Sequence, residues 1–247
     1  FAFDGDYRLK TINLDKVIVI GRNAFRGCKA LTGINVKNTY AIGANAFDGC
    51  TSIKTADLTS LRNAGAEIFK GCTGMTSVVL TENTKLSDGM FVRSGLKSVD
   101  IYERIEIPKF CFAQCDSLER VALKNDLVTI GYGAFCQNDK LTQVDMKGVE
   151  EISEQAFYDC GALTAFTLPD SDVKLGSFVF LECNALKTVR FGANTQVLSA
   201  MGAVFQSTDL LNFEVSSDNK YYSVSSDGKL LLNKAGDTVI FAATGSF

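Results

Sequence analysis

The sequence has no histidine and no tryptophan, and it contains only two prolines in 247 residues. Without histidine, the chain cannot form a Ser-His-Asp or Cys-His catalytic arrangement, and it offers no imidazole to a metal ion. The glycine-rich motifs that bind phosphate groups are also missing. We therefore expect a protein that is not an enzyme and that holds no cofactor and no metal.

The sequence also lacks an excess of charge of one sign and any long apolar run. Lysine and arginine number 25 and aspartate and glutamate 28, which gives a net charge of −3. This balance provides no basic field for nucleic acid or for an anionic membrane. No stretch approaches the length of a membrane-spanning helix, and the N-terminal residues do not resemble a signal peptide. We predict no nucleic-acid partner and no membrane insertion within this chain, and any export signal or anchor would lie outside it.

Phenylalanine, with 18 residues, and cysteine, with eight, are abundant, and both recur at regular positions. A small or apolar residue precedes each repeated phenylalanine, and a cysteine follows six of them three residues later. An apolar L-x-x-I-x-L pattern comes next, as in Leu31, Ile34 and Val36. The equivalent phenylalanines lie 21 to 25 residues apart, at Phe3, Phe25, Phe47, Phe69, Phe91, Phe112, Phe135, Phe157, Phe180 and Phe205. A period of this length indicates a solenoid.

The spacing within each unit predicts its local structure. The Ala-Phe-x-x-Cys segment places apolar groups at i, i+1 and i+4, which predicts a short helical turn. The alternating segment that follows predicts a half-buried strand. One unit of about 22 residues cannot bury both faces alone, so we expect about ten stacked coils with an α/β architecture and a buried ladder of phenylalanine rings.

Two stretches, Ile20–Cys28 and Ile42–Cys50, fit the pattern I-G-x-x-A-F-x-x-C at every motif position. Such units resemble the BspA-type leucine-rich repeats of bacterial and protist surface proteins, over about residues 1 to 215. The family's proline after the strand is kept only at Pro169. The resemblance implies a right-handed leucine-rich-repeat solenoid that is secreted or lies at the cell surface and adheres to host, matrix or cell-surface proteins. The alternative is a module that recognises glycans or peptides in nutrient capture.

The repeat ends after Val215. Turn signals at Asp227-Gly228 and at Ala235-Gly236-Asp237 separate short apolar runs, which predicts a β-hairpin or meander. We therefore divide the chain into a solenoid, residues 1–216, and a C-terminal cap, residues 217–247, that covers the open end of the solenoid. Because the chain starts inside a repeat, we expect it to be a fragment of a longer protein.

The cysteines have four interpretations: packing residues, disulfide partners, metal ligands or a reactive thiol. Six of them share one repeat column, where Ser94, Asn138 and Thr208 stand in other units, and this exchange favours a small buried group. Cys111 lies in the alanine column and is also predicted to be buried. Cys136 lies outside both columns, which makes it the best candidate for an accessible thiol, either free or bonded to Cys115.

A solenoid binds ligands along its exposed strand face. The outward positions carry short polar side chains with a mild acidic run at Asp57, Asp100 and Asp145, onto which a basic or extended protein segment would fit. No aromatic residue occupies them, which argues weakly against a sugar platform, and a strand face that is merely soluble is the other explanation. The candidate ligand-binding residues are Asn35, Asp57, Asp100, Arg120, Asp145 and Arg190.

Overall fold

The computed structural model describes residues 2–146, 148–199, 201, 203–205 and 208–243. Within this part the chain forms short strands and no helix. In chain order the strands are β1 (Val19–Ile20), β2 (Ala41–Ile42), β3 (Thr55–Asp57), β4 (Asn63–Ala64), β5 (Ser77–Val79), β6 (Ser98–Ile101), β7 (Glu106–Ile107), β8 (Arg120–Leu123), β9 (Thr129–Ile130), β10 (Gln143–Asp145), β11 (Glu151–Ile152), β12 (Ala165–Thr167), β13 (Asp172–Leu175), β14 (Thr188–Phe191), β15 (Gln196–Val197), β16 (Asn212–Val215), β17 (Tyr222–Val224), β18 (Leu230–Asn233) and β19 (Val239–Ala242).

The first sixteen strands form two parallel faces of a solenoid. Face A contains β3, β5, β6, β8, β10, β12, β14 and β16, and face B contains β1, β2, β4, β7, β9, β11, β13 and β15. The described residues thus form about eight turns, and the expectation of ten coils is wrong. On face A the first two repeats are joined by an isolated β-bridge between Thr11 and Gly33 rather than by paired strands. The right-handed sense of the solenoid remains a prediction.

The predicted phenylalanine ladder is confirmed. All ten repeated phenylalanines stack in sequence, with ring centroids 5.2 to 5.9 Å apart and ring planes within 13° of parallel. The eight rungs from Phe47 to Phe205 are almost completely buried, whereas Phe3 at the end of the ladder is 36% exposed. The ladder is the axis of one continuous core.

The expected helical turns around these phenylalanines are absent, because alternate backbone N–H groups bond to the next coil. Asn45 donates to the Ala66 carbonyl at 2.9 Å, Phe47 to the Ile68 carbonyl at 2.9 Å and Gly49 to the Lys70 carbonyl at 2.8 Å. Asn45 and Gly49 also have φ angles of 57° and 71°, in the left-handed region. A right-handed helix needs neither feature and tolerates neither. The segments are tight turns. The predicted α/β architecture is therefore wrong, and the described chain forms a solenoid of parallel strands.

The cysteine column forms a second ladder beside the phenylalanines. Each of its thiols donates to the backbone carbonyl of the phenylalanine one coil earlier, at 2.9 to 3.3 Å; the donors are Cys28, Cys50, Cys72, Cys115, Cys160 and Cys183. Asn138 holds the same position in its coil and donates to the Phe112 carbonyl at 3.0 Å. The interpretation of these cysteines as small buried packing groups is confirmed, and hydrogen bonding adds a reason for their repetition.

Both cysteines outside this column are buried as well. Cys111 is buried, as expected, but Cys136 is only 7% exposed, so the expectation of an accessible thiol there is wrong. Burial raises the pKa of Cys136 to about 11. Cys115 and Cys136 are both free thiols. The Cys115 thiol points toward the preceding coil, where it donates a hydrogen bond to the Phe91 carbonyl.

The last three strands form an antiparallel sheet in the order β17-β18-β19. The Phe241 ring of β19 lies 5.7 Å from the Phe205 ring, the last rung of the ladder, and 6.1 Å from Phe213. This sheet therefore packs on the final coil of the solenoid. The division into domains 1–216 and 217–247 remains a prediction, and residues 1, 147, 200, 202, 206–207 and 244–247 of these ranges lie outside the described part.

Candidate functional site

Three of the six candidate residues come together in the middle of face A. One Arg120 guanidinium nitrogen lies 3.0 Å from a carboxylate oxygen of Asp145, and the other lies 3.8 Å from a carboxylate oxygen of Asp100. Lys124 extends the group through a contact of 3.1 Å with Asp100. We call Asp100, Arg120, Lys124 and Asp145 the central cluster. All of its side chains are 36% to 44% exposed.

The strand register explains why these side chains meet. Strands β6, β8 and β10 are parallel neighbours, and Asp100 and Asp145 both lie opposite Ala122 of β8. The alanine side chain between the two aspartates is short, so the guanidinium of Arg120 reaches both. Gln143 adds a hydrogen bond of 2.7 Å from its amide to the Asp145 carboxylate.

The other three candidates lie outside this cluster. The Asp57 carboxylate accepts a hydrogen bond from the Thr59 backbone N–H at 3.1 Å, which stabilises a turn. The Asn35 amide donates to Asp15 at 2.7 Å, and Arg190 forms an ion pair of 2.6 Å with Glu214. The acidic run of the sequence is therefore not one continuous surface.

Lys124 is the member of the central cluster that the sequence analysis missed. It directly follows Leu123, the last residue of β8. Strict alternation places residues 120, 122 and 124 on the same side of the chain, and this was the signal that could have found it.

Face A is interrupted beside the central cluster. Strands β10 and β12 belong to separate sheets, and a cavity of about 540 Å³ lies between them. Its lining includes Asp145, Thr167 and Arg190, so it connects Arg190 to the central cluster through Asp145. Four of the six candidates thus border one continuous surface.

Within the described residues, no group of three or more cysteine, aspartate or glutamate side chains is placed to hold a metal ion. The same part of the chain contains no helix whose length and apolarity would let it cross a membrane.

The sequence model described as "BspA type Leucine rich repeat region" matches residues 1–107 and 105–226. The chain belongs to the BspA-type leucine-rich repeat family. The resemblance carried by the Phe and Cys columns is thereby confirmed, and the family consists of leucine-rich repeat proteins rather than enzymes. No curated protein matches the chain.

Two solved structures of leucine-rich repeat proteins have a similar fold. A leucine-rich cell surface protein from Faecalibacterium prausnitzii A2-165 is 19% identical, with a TM-score of 0.55, over 82% of this chain and 58% of that chain. A leucine-rich repeat protein from Eubacterium ventriosum ATCC 27560 is 20% identical, with a TM-score of 0.52, over 62% of this chain and 40% of that chain. The chain thus spans about half the length of these two proteins, and the likeness concerns the fold.

Proposed function

We propose that this chain is a non-enzymatic binding scaffold, secreted or at the cell surface, that adheres to host, matrix or other cell-surface proteins through face A. Membership of the BspA-type family supports a protein-binding scaffold. The observation that carries the proposal is the central cluster, an exposed network of opposite charges that spans three strands.

The geometry of this surface suits a protein partner. Two acidic and two basic side chains alternate across β6, β8 and β10 and present both donors and acceptors to a partner. Exposed ion pairs of this kind add little to stability, about 0 to 1 kcal/mol each. Charges across an interface instead set specificity and the rate of association. The cavity beside Asp145 adds a recess into which a partner side chain fits.

Binding of the full chain to an array of purified matrix and cell-surface proteins tests the proposal. We expect saturable binding that weakens at least about tenfold in the double variant Asp100→Lys and Asp145→Lys, because both changes place a like charge beside Arg120. Asp57→Asn, outside the central cluster, should have a smaller effect.

A matched control removes an exposed ion pair on another side of the solenoid. Asp4→Asn with Arg26→Gln breaks a contact of 2.9 Å near the N-terminus and should leave binding unchanged. Binding that is unaffected by the changes at Asp100 and Asp145 would move the site away from face A. No saturable binding to any protein of the array would contradict the proposed function itself.

A further inference from the structure

A second surface lies on the side of the coils that carries the tight turns. A cavity of about 540 Å³ opens there between the coils of Phe69 and Phe135. Val92, Phe110 and Ala113 contribute its apolar part, and Arg93 stands at its margin. We call this surface, defined by these four residues, the turn groove. It shares no residue with face A.

Phe110 occupies a backbone conformation that bulky residues avoid. Its φ angle is 55°, in the left-handed region. The equivalent positions of other coils share this conformation and hold Asn23, Asn45, Glu67, Gly89, Gly133, Gln155 and a second phenylalanine, Phe178. The ring is nevertheless 37% exposed, so the core does not compensate for the strain. Strained residues that persist in a fold are concentrated at functional sites.

The neighbours of Phe110 hold its ring at the groove. The ring meets Tyr132 edge-on, with centroids 5.1 Å apart and planes at 87°. A Cβ atom at position 133 would lie 2.6 Å from a ring carbon of Phe110, so Gly133 is required for this placement. The aromatic surface is therefore fixed in position before any ligand arrives.

The charges around the groove leave one cation without a carboxylate. Lys70 pairs with Glu67 at 2.9 Å, and Lys109 pairs with Asp88 at 3.3 Å. The hydrogen bond from Lys70 lowers the pKa of Glu67, which keeps that pair ionised. Within the described part of the chain, no carboxylate lies within ion-pair distance of Arg93.

The Arg93 side chain is oriented by a short chain of hydrogen bonds. Its Nε atom donates to the Gln114 side-chain oxygen at 2.7 Å, and the Gln114 amide donates to the Gln137 side-chain oxygen at 2.7 Å. The two terminal nitrogens of the guanidinium remain available for a carboxylate, which arginine binds in a bidentate manner. A fixed positive charge beside a fixed apolar surface is complementary to an acidic, partly apolar ligand.

We propose that the turn groove binds an extended acidic peptide segment of a partner protein, with one large apolar side chain against Val92, Phe110 and Ala113 and a neighbouring carboxylate on Arg93. This site is separate from face A and does not depend on the function proposed for that face.

Selection from a displayed library of random peptides on the immobilised full chain tests this site. Arg93→Gln removes the charge, and Gln114 and Gln137 show that glutamine accepts the same left-handed backbone, with φ angles of 57°. Phe110→Asn removes the ring and introduces the residue found at positions 23 and 45 of the same column. Arg22→Gln, an exposed arginine in an early coil, makes the same change of charge and is the matched control.

We expect the enriched peptides to combine a large apolar residue with a nearby aspartate or glutamate. A synthetic copy of an enriched peptide should bind at least about tenfold more weakly to the Arg93 and Phe110 variants, since a hydrogen-bonded charge pair or a buried side chain is lost. Its affinity for the Arg22 variant, and for the Asp100 and Asp145 double variant, should be unchanged. The unfolding midpoints of the variants, measured in parallel, separate loss of binding from loss of folding.

The inference is overturned if no peptide is enriched above the level found with the Arg93 variant, or if the enriched peptides lack a carboxylate. It is also overturned if well-folded Arg93→Gln and Phe110→Asn variants bind the peptide as tightly as the unaltered chain. Loss of peptide binding in the Asp100 and Asp145 double variant would place the peptide on face A instead.

Discussion

Removal of one ring from the phenylalanine ladder should cost far more stability in the middle of the ladder than at its end. Phe135 is completely buried, and its ring stacks on Phe112 at 5.6 Å and on Phe157 at 5.5 Å. Phe3 is 36% exposed and, among the described residues, stacks on Phe25 alone, at 5.3 Å. The substitutions Phe135→Ala and Phe3→Ala therefore remove the same atoms from two different environments.

The magnitudes follow from burial and from stacking. Truncation of a buried phenylalanine to alanine costs about 3 to 5 kcal/mol. Each aromatic pair contributes about 0.5 to 1.5 kcal/mol beyond the area that it buries. Phe135 takes part in two such pairs, so we expect Phe135→Ala to lower the free energy of unfolding by about 4 to 5 kcal/mol. Phe3→Ala loses one pair and a partly exposed side chain, which predicts about 1 to 2 kcal/mol.

Urea unfolding, followed by far-ultraviolet circular dichroism because the chain has no tryptophan, measures both values. Phe135→Leu is the control: it keeps most of the apolar volume but loses both stacks, and it should fall between the unaltered chain and Phe135→Ala. Equal losses for Phe135→Ala and Phe3→Ala would refute the reasoning. So would a loss below about 1.5 kcal/mol for Phe135→Ala, because the ladder would then not be the main support of the core.

Three further predictions concern the second ladder. Asn138→Ala should lower the free energy of unfolding by about 2 to 3 kcal/mol in the same assay, because this buried amide donates to the Phe112 and Phe135 carbonyls and accepts from the Cys115 N–H. Asn138→Cys should lower it by less. Equal losses for the two variants would contradict the assignment of Asn138 to the cysteine column. Titration of the native protein with a thiol reagent at neutral pH should find no rapidly reacting group, and all eight should react after denaturation; even two fast thiols would contradict the buried ladder. Burial raises the pKa of Cys50 from 9.0 to about 12 and that of Cys115 to about 11, so the unfolded chain ionises first. Stability should therefore fall as the pH rises above about 9, by up to about 1.4 kcal/mol per pH unit for each thiol, until the folded pKa is reached; unfolding midpoints that stay constant between pH 8 and pH 10.5 would refute this linkage.

The columns of the core could be predicted from the sequence because one geometry is repeated in every coil. A residue such as Phe47 meets the same neighbours, one coil before and one coil after, as Phe69 does, so its period along the chain is also its contact pattern in space. The same holds for Cys50 and Cys72, which donate to equivalent carbonyls. In a solenoid, long-range contacts are visible as sequence periodicity.

The backbone of the tight turns could not be predicted in this way. The spacing of Ala46, Phe47 and Cys50 fits a helical face, because apolar spacing reports which side chains are buried and not where each N–H group donates its hydrogen bond. The signal for turns was the glycine or asparagine two residues before or after six of the ten repeated phenylalanines, as at Asn45 and Gly49, which adopt left-handed conformations.

The charged surface was predictable only in part, because its contacts depend on the register of non-repeated side chains. Arg120 meets Asp100 and Asp145 across three coils. The two aspartates share one repeat column, but Arg120 lies in another, so the period does not connect it to them. Asp57 fits the same outward column, but its carboxylate accepts a hydrogen bond from the Thr59 backbone N–H in a local turn. Which charges meet therefore depends on side-chain lengths at neighbouring positions rather than on the repeat.

The residue two positions after each phenylalanine from Phe3 to Phe180 has a left-handed backbone, and its residue type differs between the early and the later coils. The early coils place glycine there, at Gly5, Gly27, Gly49 and Gly71, and the later coils place Arg93, Gln114, Gln137, Asp159 and Glu182. A residue with a side chain costs about 1 kcal/mol or more in this conformation, whereas glycine does not. The two hydrogen bonds that join Arg93, Gln114 and Gln137 contribute about 1 kcal/mol each, so they do not offset five such positions. The later coils are therefore less stable at these turns than glycine would make them. Packing of the core does not explain why larger residues replace glycine at this position. The binding role proposed for the turn groove, which Arg93 borders, does explain it.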